Sequence, residues 1–268
     1  MDGKLTIVVN GATGNMGKQT LITLAENPES IKVVGAVSQS ISASFLEDNN
    51  LDREILVSQT LPGLLKTTAP DLLIDFSIRE SAMESAAICA ANDIDFITGT
   101  SGLTESDVSE LELLANKNNI GIFVAPNFSL GAVILQHISA LAGRHFDNAE
   151  IIEMHHSGKI DAPSGSSIAT AKDMTHSDHG SEFTSSKTEK FNVEGSRGAI
   201  INGVGIHSVR LPGLMARQEV ILGGKGEVLN LSHTTLNRES YMPGLMLAID
   251  YVSNNKIFTF GLGSILNL

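Results

Sequence analysis

The feature that most restricts the fold lies at the start of the chain. Residues 5–9, Leu5-Thr6-Ile7-Val8-Val9, form a mostly apolar and largely β-branched run, Gly11-Ala12-Thr13-Gly14-Asn15-Met16-Gly17 turns the chain, and Leu21, Leu24 and Ala25 follow at helical spacing. An apolar run without polar alternation reads as a strand buried on both faces, and such strands belong to parallel sheets whose crossovers are helices. The pattern recurs. Residues 31–37, 72–76, 96–98 and 122–125 read as strands, and 80–91 and 105–117 as helices, with Thr104 as an N-cap. This alternation predicts an α/β fold with a Rossmann-like, doubly wound parallel sheet.

The character changes after Pro126. Residues 130–141 read as a helix and 149–154 as a strand, and residues 175–197 are polar and read as a surface loop. Residues 204–211, 218–222 and 228–233 read as strands with glycine-bearing turns between them, which predicts a second α+β domain with a mixed, largely antiparallel sheet. A helix over 241–252 precedes an apolar tail, 257–268. The expected division is a dinucleotide-binding domain over 1–126, with 237–268 packing back on it, and a substrate-binding and oligomerisation domain over 127–236. A length of 268 residues is near the point where one core becomes two.

Composition excludes several classes. No apolar run reaches the roughly 18 to 20 residues that span a bilayer, so a membrane protein is not expected. The net charge is −12, and nucleic-acid affinity draws on clustered cations, so a nucleic-acid partner is not expected either. Met1-Asp2-Gly3-Lys4 leads straight into the first strand without a signal peptide's apolar core, which makes the cytoplasm the default address. The single cysteine, Cys89, lies in an alanine-rich helical pattern that favours a buried thiol.

Two segments carry chemistry. In the glycine turn, Gly11 and Gly14 let backbone NH groups approach a pyrophosphate, and Gly17 lets the helix pack close to its strand. The spacing is GxxGxxG rather than GxGxxG, and such glycines also serve plain βα turns. The end of the second strand offers Ser38-Gln39-Ser40, with neither a carboxylate for a ribose 2′-hydroxyl nor an arginine for a 2′-phosphate, so preference between the nicotinamide cofactors stays open. Gly99-Thr100-Ser101-Gly102 and Ala125-Pro126-Asn127-Phe128 each follow a strand on the carboxyl edge, where open α/β sheets bind ligands, although each serves equally as a simple turn.

The other segment is Glu153-Met154-His155-His156-Ser157-Gly158-Lys159-Ile160-Asp161-Ala162-Pro163-Ser164-Gly165. It joins two imidazoles, an amine and a Ser-Gly helix entrance in one strand-to-loop-to-helix passage. Those groups together suit proton transfer to a small anion: Lys159 can donate a proton or hold a carboxylate, although by itself it reads as a solvated surface lysine, and the free amides of Ser164-Gly165-Ser166-Ser167 can form an anion cradle, although they serve equally as a plain N-cap. His176-Ser177-Asp178-His179 adds histidines, but no metal-ligand spacing accompanies them, and no metal is expected.

These residues resemble those of the 4-hydroxy-tetrahydrodipicolinate reductase family, formerly dihydrodipicolinate reductase. The Glu153 to Gly165 segment matches the family's E-x-H-H-x-x-K-x-D-A-P-S-G signature, and the glycine turn, Gly99-Thr100-Ser101-Gly102, Asn127-Phe128-Ser129-Leu130-Gly131 and His207-Ser208-Val209-Arg210-Leu211-Pro212-Gly213 match in order. The resemblance implies reduction of a dicarboxylate substrate by NADPH or NADH, with hydride reaching C4 of the ring and water lost. It implies His155 as acid/base, Lys159 as proton donor, and His156, Gly165 and Ser166 as substrate contacts. Cofactor contacts would come from Gly11, Ala12, Thr13, Gly14, Asn15, Met16, Gln39, Gly99, Thr100, Ser101, Ala125, Pro126, Asn127, Phe128 and Arg238, with Tyr241 close by, and the assembly would be a homotetramer. Asn15 stands where many members carry arginine, Gln39 where some carry a ribose-binding acid, and Ser166 where threonine is common. The alternatives are a dinucleotide-binding sensor without turnover and a related reductase of another cyclic imine or dicarboxylate.

Overall fold

The computed structural model describes residues 3–40, 45–46, 55–176, 183–185 and 188–268. The chain runs through β1 (Leu5–Asn10), α1 (Asn15–Ala25), β2 (Ile31–Val37), β3 (Phe45–Leu46), β4 (Ile55–Ser58), α2 (Leu61–Leu64), β5 (Leu72–Asp75), α3 (Arg79–Ala91), β6 (Asp95–Thr98), α4 (Glu105–Asn118) and β7 (Ile122–Val124). It continues through α5 (Leu130–Gly143), β8 (Asn148–His155), α6 (Gly165–His176), β9 (Ala199–Ile201), β10 (Val204–Arg210), β11 (Ala216–Gly224) and β12 (Glu227–Thr235), then closes with α7 (Met242–Asn254) and β13 (Phe258–Phe260). Two compact units result: one runs to Phe128 and resumes at Tyr241, and the other is Ser129–Ser240.

The first unit is built on a sheet of order β13-β7-β6-β5-β1-β2-β4-β3, parallel throughout except for the β3/β4 edge. Its central strands are apolar on both faces because both faces are covered. Val8, Leu73, Phe96, Ile122 and Val124 pack in one cluster with Leu61 and Leu64 of α2, Ala86, Cys89 and Ala90 of α3, and Leu111 and Ala115 of α4. On the remaining helices, α1 packs on β1 and β2, and α7 on β6 and β7, so the sheet is doubly wound as its alternating sequence predicts. Thr104 caps α4 as expected: its hydroxyl accepts from the Asp107 amide, and the Asp107 carboxylate accepts from the Thr104 amide at 2.7 Å. Cys89 is fully buried, and desolvation pushes its thiol far up from its ordinary pKa.

The second unit carries a mixed sheet of order β12-β11-β8-β10-β9, in which only the β8/β10 pair is parallel. Ala149 and Ile151 of β8, Val204 and Ile206 of β10, and Val220 and Leu222 of β11 face one side, where Ala171 and Met174 of α6 and Ala142 of α5 complete the core. Glu150, Ile152 and Met154 face the opposite side with their register partners His207, Val209, Arg217, Glu219 and Ile221.

Several elements differ from the sequence reading. β4, α2 and β9 were not foreseen. Each is four residues or fewer, too short for either hydrophobic period to repeat. The apolar tail contains a strand, β13, paired in parallel with β7. In the polar 175–197 stretch, residues 177–182 and 186–187 lie outside the described residues, including Ser177, Asp178 and His179 of the second histidine cluster. Among the described residues, no helix is long and apolar enough to cross a membrane, and no group of three His, Cys, Asp or Glu is arranged for a metal ion.

Gly17 shows how closely α1 packs on its own turn: a Cβ there would lie 2.3 Å from the Gly11 carbonyl oxygen, whereas at Gly14 the nearest atom, that same oxygen, would be at 3.2 Å. Gly17→Ala should therefore destabilise the protein by about 1–3 kcal/mol through overpacking, and Gly14→Ala by less. Thermal unfolding midpoints of the two variants test that order.

Candidate active site

The glycine turn sits on the carboxyl edge of the first sheet. Gly11 has φ +73°, and a Cβ on it would lie 2.4 Å from the Phe76 carbonyl oxygen, so glycine is required there by both conformation and space. The amides of Gly11 and Ala12 donate to the Val37 carbonyl, which fixes the turn against the end of β2. Gly14 is the N-cap of α1 and contributes no side chain to the helix entrance; no side-chain cap bond is made there, and the first turn carries no acid. Such an entrance leaves amide donors and the positive end of the helix dipole available for an anion.

Beside the turn, three hydroxyls converge. Thr13 Oγ1 lies 2.7 Å from Ser38 Oγ and 3.0 Å from Ser40 Oγ, and the two serine oxygens are 3.1 Å apart. Gln39, Asn15 and Ser101 are exposed, Met16 is half-buried, and Ala12, Thr100 and Ala125 are buried. Gly99 lies under two aromatic rings: a Cβ on it would come within 2.5 Å of Phe76 and 2.8 Å of Phe128. Phe128 in turn packs edge-on to Phe76, with ring centroids 5.8 Å apart. The predicted cofactor loops after β1, β2, β6 and β7 thus share one edge of one sheet. Arg238 lies in the second unit and Tyr241 in the first, at the two ends of a single 3-10 turn.

In the second unit, the strand that delivers the histidines ends on His155. Alternation along β8 puts Glu153 and His155 on the helix-covered face. Glu153 is fully buried and its two oxygens are heavily engaged. Oε2 lies 2.6 Å from His155 Nδ1, Arg210 donates to Oε2 at 2.9 Å and to Oε1 at 2.8 Å, and the Ser164 amide donates to Oε1 at 3.2 Å. Arg210 reaches this position because the parallel β8/β10 register pairs it with His155. Its Nη2 also donates to the Asp161 carbonyl at 2.7 Å, and Lys159 Nζ donates to the Asp161 carboxylate at 2.8 Å. One buried carboxylate therefore ties together the strand end, the loop holding Lys159, and the entrance of α6.

At that entrance Ser164 is buried, and its Oγ accepts from the Ser167 amide. The first intrahelical bond runs from the Ile168 amide to the Ser164 carbonyl, so the amides of Gly165 and Ser166 have no partner within the helix, and both residues are exposed. His156 is also exposed.

The electrostatics follow from this packing. Burial pushes Glu153 upward, but hydrogen bonds from Arg210, Ser208 and His155 outweigh it, and the carboxyl is held below its ordinary range. Burial lowers the His155 pKa, Glu153 opposes that shift, and the charges of Lys159 and Arg210 add to it. At neutral pH the imidazole is neutral beside an ionised carboxylate. Glu153 can only accept, so the proton of His155 sits on Nδ1, and the lone pair of Nε2 is left to receive a proton.

His155, Lys159, Gly165 and Ser166 thus belong to one bonded framework. The sequence reading missed the two residues that hold it, Glu153 and Arg210. Glu153 carried a local signal, since it stands two positions from His155 in a strand and must share its face. Arg210 carried no local structural signal beyond its place in the His207 to Gly213 block, because its contact with Glu153 follows from a strand pairing across more than fifty residues of chain.

The family profile described as "Dihydrodipicolinate reductase, N-terminus" matches residues 5–128, and "Dihydrodipicolinate reductase, C-terminus" matches residues 131–266. A 4-hydroxy-tetrahydrodipicolinate reductase of Dehalococcoides mccartyi is 41% identical over 264 residues, covering 98% of this chain and 99% of the relative. One from Moorella thermoacetica is 38% identical and covers 99% of each chain. Among solved structures, dipicolinate-bound dihydrodipicolinate reductase from Paenisporosarcina sp. TG-14 superposes with a TM-score of 0.83 at 33% identity, covering 98% of this chain and 99% of that one. The chain belongs to the dihydrodipicolinate reductase family.

Proposed function

We propose that the chain reduces 4-hydroxy-tetrahydrodipicolinate to tetrahydrodipicolinate in diaminopimelate and lysine biosynthesis, with the first unit holding NADPH or NADH and the second holding the dicarboxylate. The observation that carries this reading is the Glu153-centred framework, which combines a neutral imidazole, an ammonium and a bare helix entrance. The glycine turn fits a dinucleotide because Gly11 lets the backbone turn tightly against Phe76 and Gly14 leaves the α1 entrance without a side-chain cap, so its amides are available to a pyrophosphate. When bound, the nicotinamide supplies the hydride.

The chain's own residues supply the rest. Gly165 and Ser166 bind a substrate carboxylate through the amides of the α6 entrance, where the helix dipole favours an anion. Hydride arrival at C4 with loss of the hydroxyl as water requires a proton at the leaving oxygen and stabilisation of the electron density left in the ring. Lys159 is the proposed donor, and among the described residues its ion-pair partner is the exposed carboxylate of Asp161. His155 exchanges protons through Nε2 while Glu153 fixes its tautomer, and His156 faces solvent beside it as a second substrate contact. The Thr13, Ser38 and Ser40 hydroxyls and Gln39 carry no fixed charge, and hydroxyls both donate and accept, so they accommodate a ribose 2′-hydroxyl or a 2′-phosphate.

The uncovered face of the second sheet supports assembly. Ile152, Met154, Val209 and Ile221 lie there among charged neighbours, which suits a self-complementary interface in a homotetramer. A cytoplasmic setting fits a biosynthetic step on small water-soluble acids.

Steady-state turnover with each nicotinamide and synthetic substrate tests the reading. Oxidation of NADH or NADPH that depends on substrate and yields tetrahydrodipicolinate supports it, and binding without turnover would make the chain a sensor. His155→Gln and Lys159→Ala should each lower kcat by roughly 10²-fold or more while KM changes far less, as removal of a transition-state proton transfer requires.

NMR titration should place the His155 midpoint below the ordinary value of about 6.5. In Glu153→Gln it should fall further, because the anion that favours imidazolium is gone while burial, Lys159 and Arg210 still oppose it. A midpoint that rises in the variant would remove Glu153 as the partner. Sedimentation should give a four-chain mass, shifted to smaller species in Ile221→Lys.

A further inference from the structure

Besides Glu153, the structure holds another buried carboxylate surrounded by residues of proposed function. Asp75 is the last residue of β5, in the middle of the first sheet, and has no solvent exposure. Asn10 of β1 and Thr98 of β6 are its register partners, so the three form a row across adjacent strands at the carboxyl edge. Asp75 Oδ1 accepts from Asn10 Nδ2 at 2.8 Å and Ser77 Oγ at 2.6 Å. Oδ2 accepts from Thr98 Oγ1 at 3.0 Å and Thr100 Oγ1 at 2.6 Å.

Each bond continues outward into a loop. Asn10 Oδ1 accepts from the Gly11 amide at 2.9 Å, which sets the first residue of the glycine turn. Thr98 Oγ1 accepts from the Thr100 amide at 3.1 Å, inside the Gly99-Thr100-Ser101 loop. The Asp75 carbonyl accepts from the Gly99 amide at 3.0 Å. Asn10 Nδ2 also reaches Ser85 Oγ at 3.1 Å, which ties α3 to the same centre.

A buried charge of this kind disfavours folding unless its lone pairs are filled, and here every side-chain donor is neutral. Stability alone would be served as well by apolar residues of the same size at Asn10, Asp75 and Thr98. The arrangement instead spends four donors on one carboxylate, and these donors adjoin the loops after β1, β5 and β6.

We infer that Asp75 is a positioning residue for the nicotinamide dinucleotide, holding the glycine turn through Asn10 and the Gly99–Ser101 loop through Thr98 and Thr100 in their binding geometry. This deepens the proposed function and rests on its placement of the dinucleotide in the first unit. Asp75 acts through the loops and does not itself contact the reacting atoms.

The test is Asp75→Asn in the full chain. The amide is isosteric, and its NH2 can face Thr98 and Thr100, whose hydroxyls can turn to accept, so the variant retains a folded network with half its polarity reversed. Asp95→Asn is the control: Asp95 is equally deep in the same sheet but lies at the amino end of β6, where it accepts from the Gly121 amide and pairs with Lys256. Dissociation constants for NADH and NADPH are measured by calorimetry, together with KM, kcat and thermal midpoints.

Asp75→Asn should weaken dinucleotide binding about tenfold, since one misdirected buried hydrogen bond has roughly that effect on an equilibrium. KM for the dicarboxylate and kcat should stay within about threefold by the same reasoning. Asp95→Asn should lower the thermal midpoint and leave both dissociation constants unchanged. Thr100→Val, which removes a single donor, should give a smaller loss of affinity in the same direction. Unchanged dinucleotide affinity in Asp75→Asn, or an equal loss in Asp95→Asn, overturns the inference while the functional reading stands. Failure of the unmodified protein to bind either dinucleotide overturns both.

Discussion

A carboxylate without access to water must have its lone pairs filled by nearby donors, and the donors that fill them become fixed in space. Glu153 applies that constraint to the second unit. It is fully buried at the end of β8, and the groups that satisfy it come from β8 itself, from β10 and from the entrance of α6. The order of the loop from His156 to Ser164 follows, because its far end is tied to Glu153 through the Ser164 amide and its middle to Arg210 through the Asp161 carbonyl. A buried ion pair is weak evidence for stability, since a well-packed apolar substitute often serves as well. What the pair provides here is geometry: a fixed tautomer for His155 and a fixed place for the α6 amides.

The same logic bears on how an acidic chain could hold the dianion proposed as its substrate. With a net charge of −12, the average field repels an anionic substrate. The local field in the second unit differs, because Glu153 is neutralised by Arg210, Asp161 is the partner of Lys159, and the α6 dipole is left unopposed at Gly165 and Ser166. At short range in a partly dry environment these nearby groups outweigh distant surface carboxylates, which are screened beyond about 8–10 Å.

Much of this was legible in the sequence, and the limits have physical causes. The run over β1, the glycine turn and α1 was readable because each element is long enough to show its period, and Thr104 was readable as a cap because capping is local. The Glu153 to Gly165 segment declared its chemistry by residue type alone. β4 and α2 were hidden because four residues do not establish a period, and β13 because three apolar residues in an apolar tail look no different from their neighbours. The roles of Arg210 and Asp75 depend on strand register. Arg210 meets Glu153 only through the β8/β10 pairing, and Asp75 meets Asn10 and Thr98 only where β1, β5 and β6 lie side by side.

The two buried carboxylates also show why one is paired with a cation and the other is not. Burial is the largest effect on both, yet Glu153 is shifted down overall and Asp75 up. For Glu153, the folded pKa lies below the unfolded one, so its contribution to stability is present above the unfolded pKa and is lost as pH falls through the folded value. For Asp75, the folded pKa lies above the unfolded one, so its ionisation counts against the fold, and that burden is relieved as pH falls through the folded value. The proton exchange proposed for His155 requires a partner that stays ionised, and the Arg210 guanidinium, with two bonds to Glu153, is the leading group that holds that charge. Asp75 has no proton traffic to support. Four neutral donors are enough to orient its loops, and among the described residues no cation is paired with it, so the positive end of α1 is the attraction proposed for a phosphate.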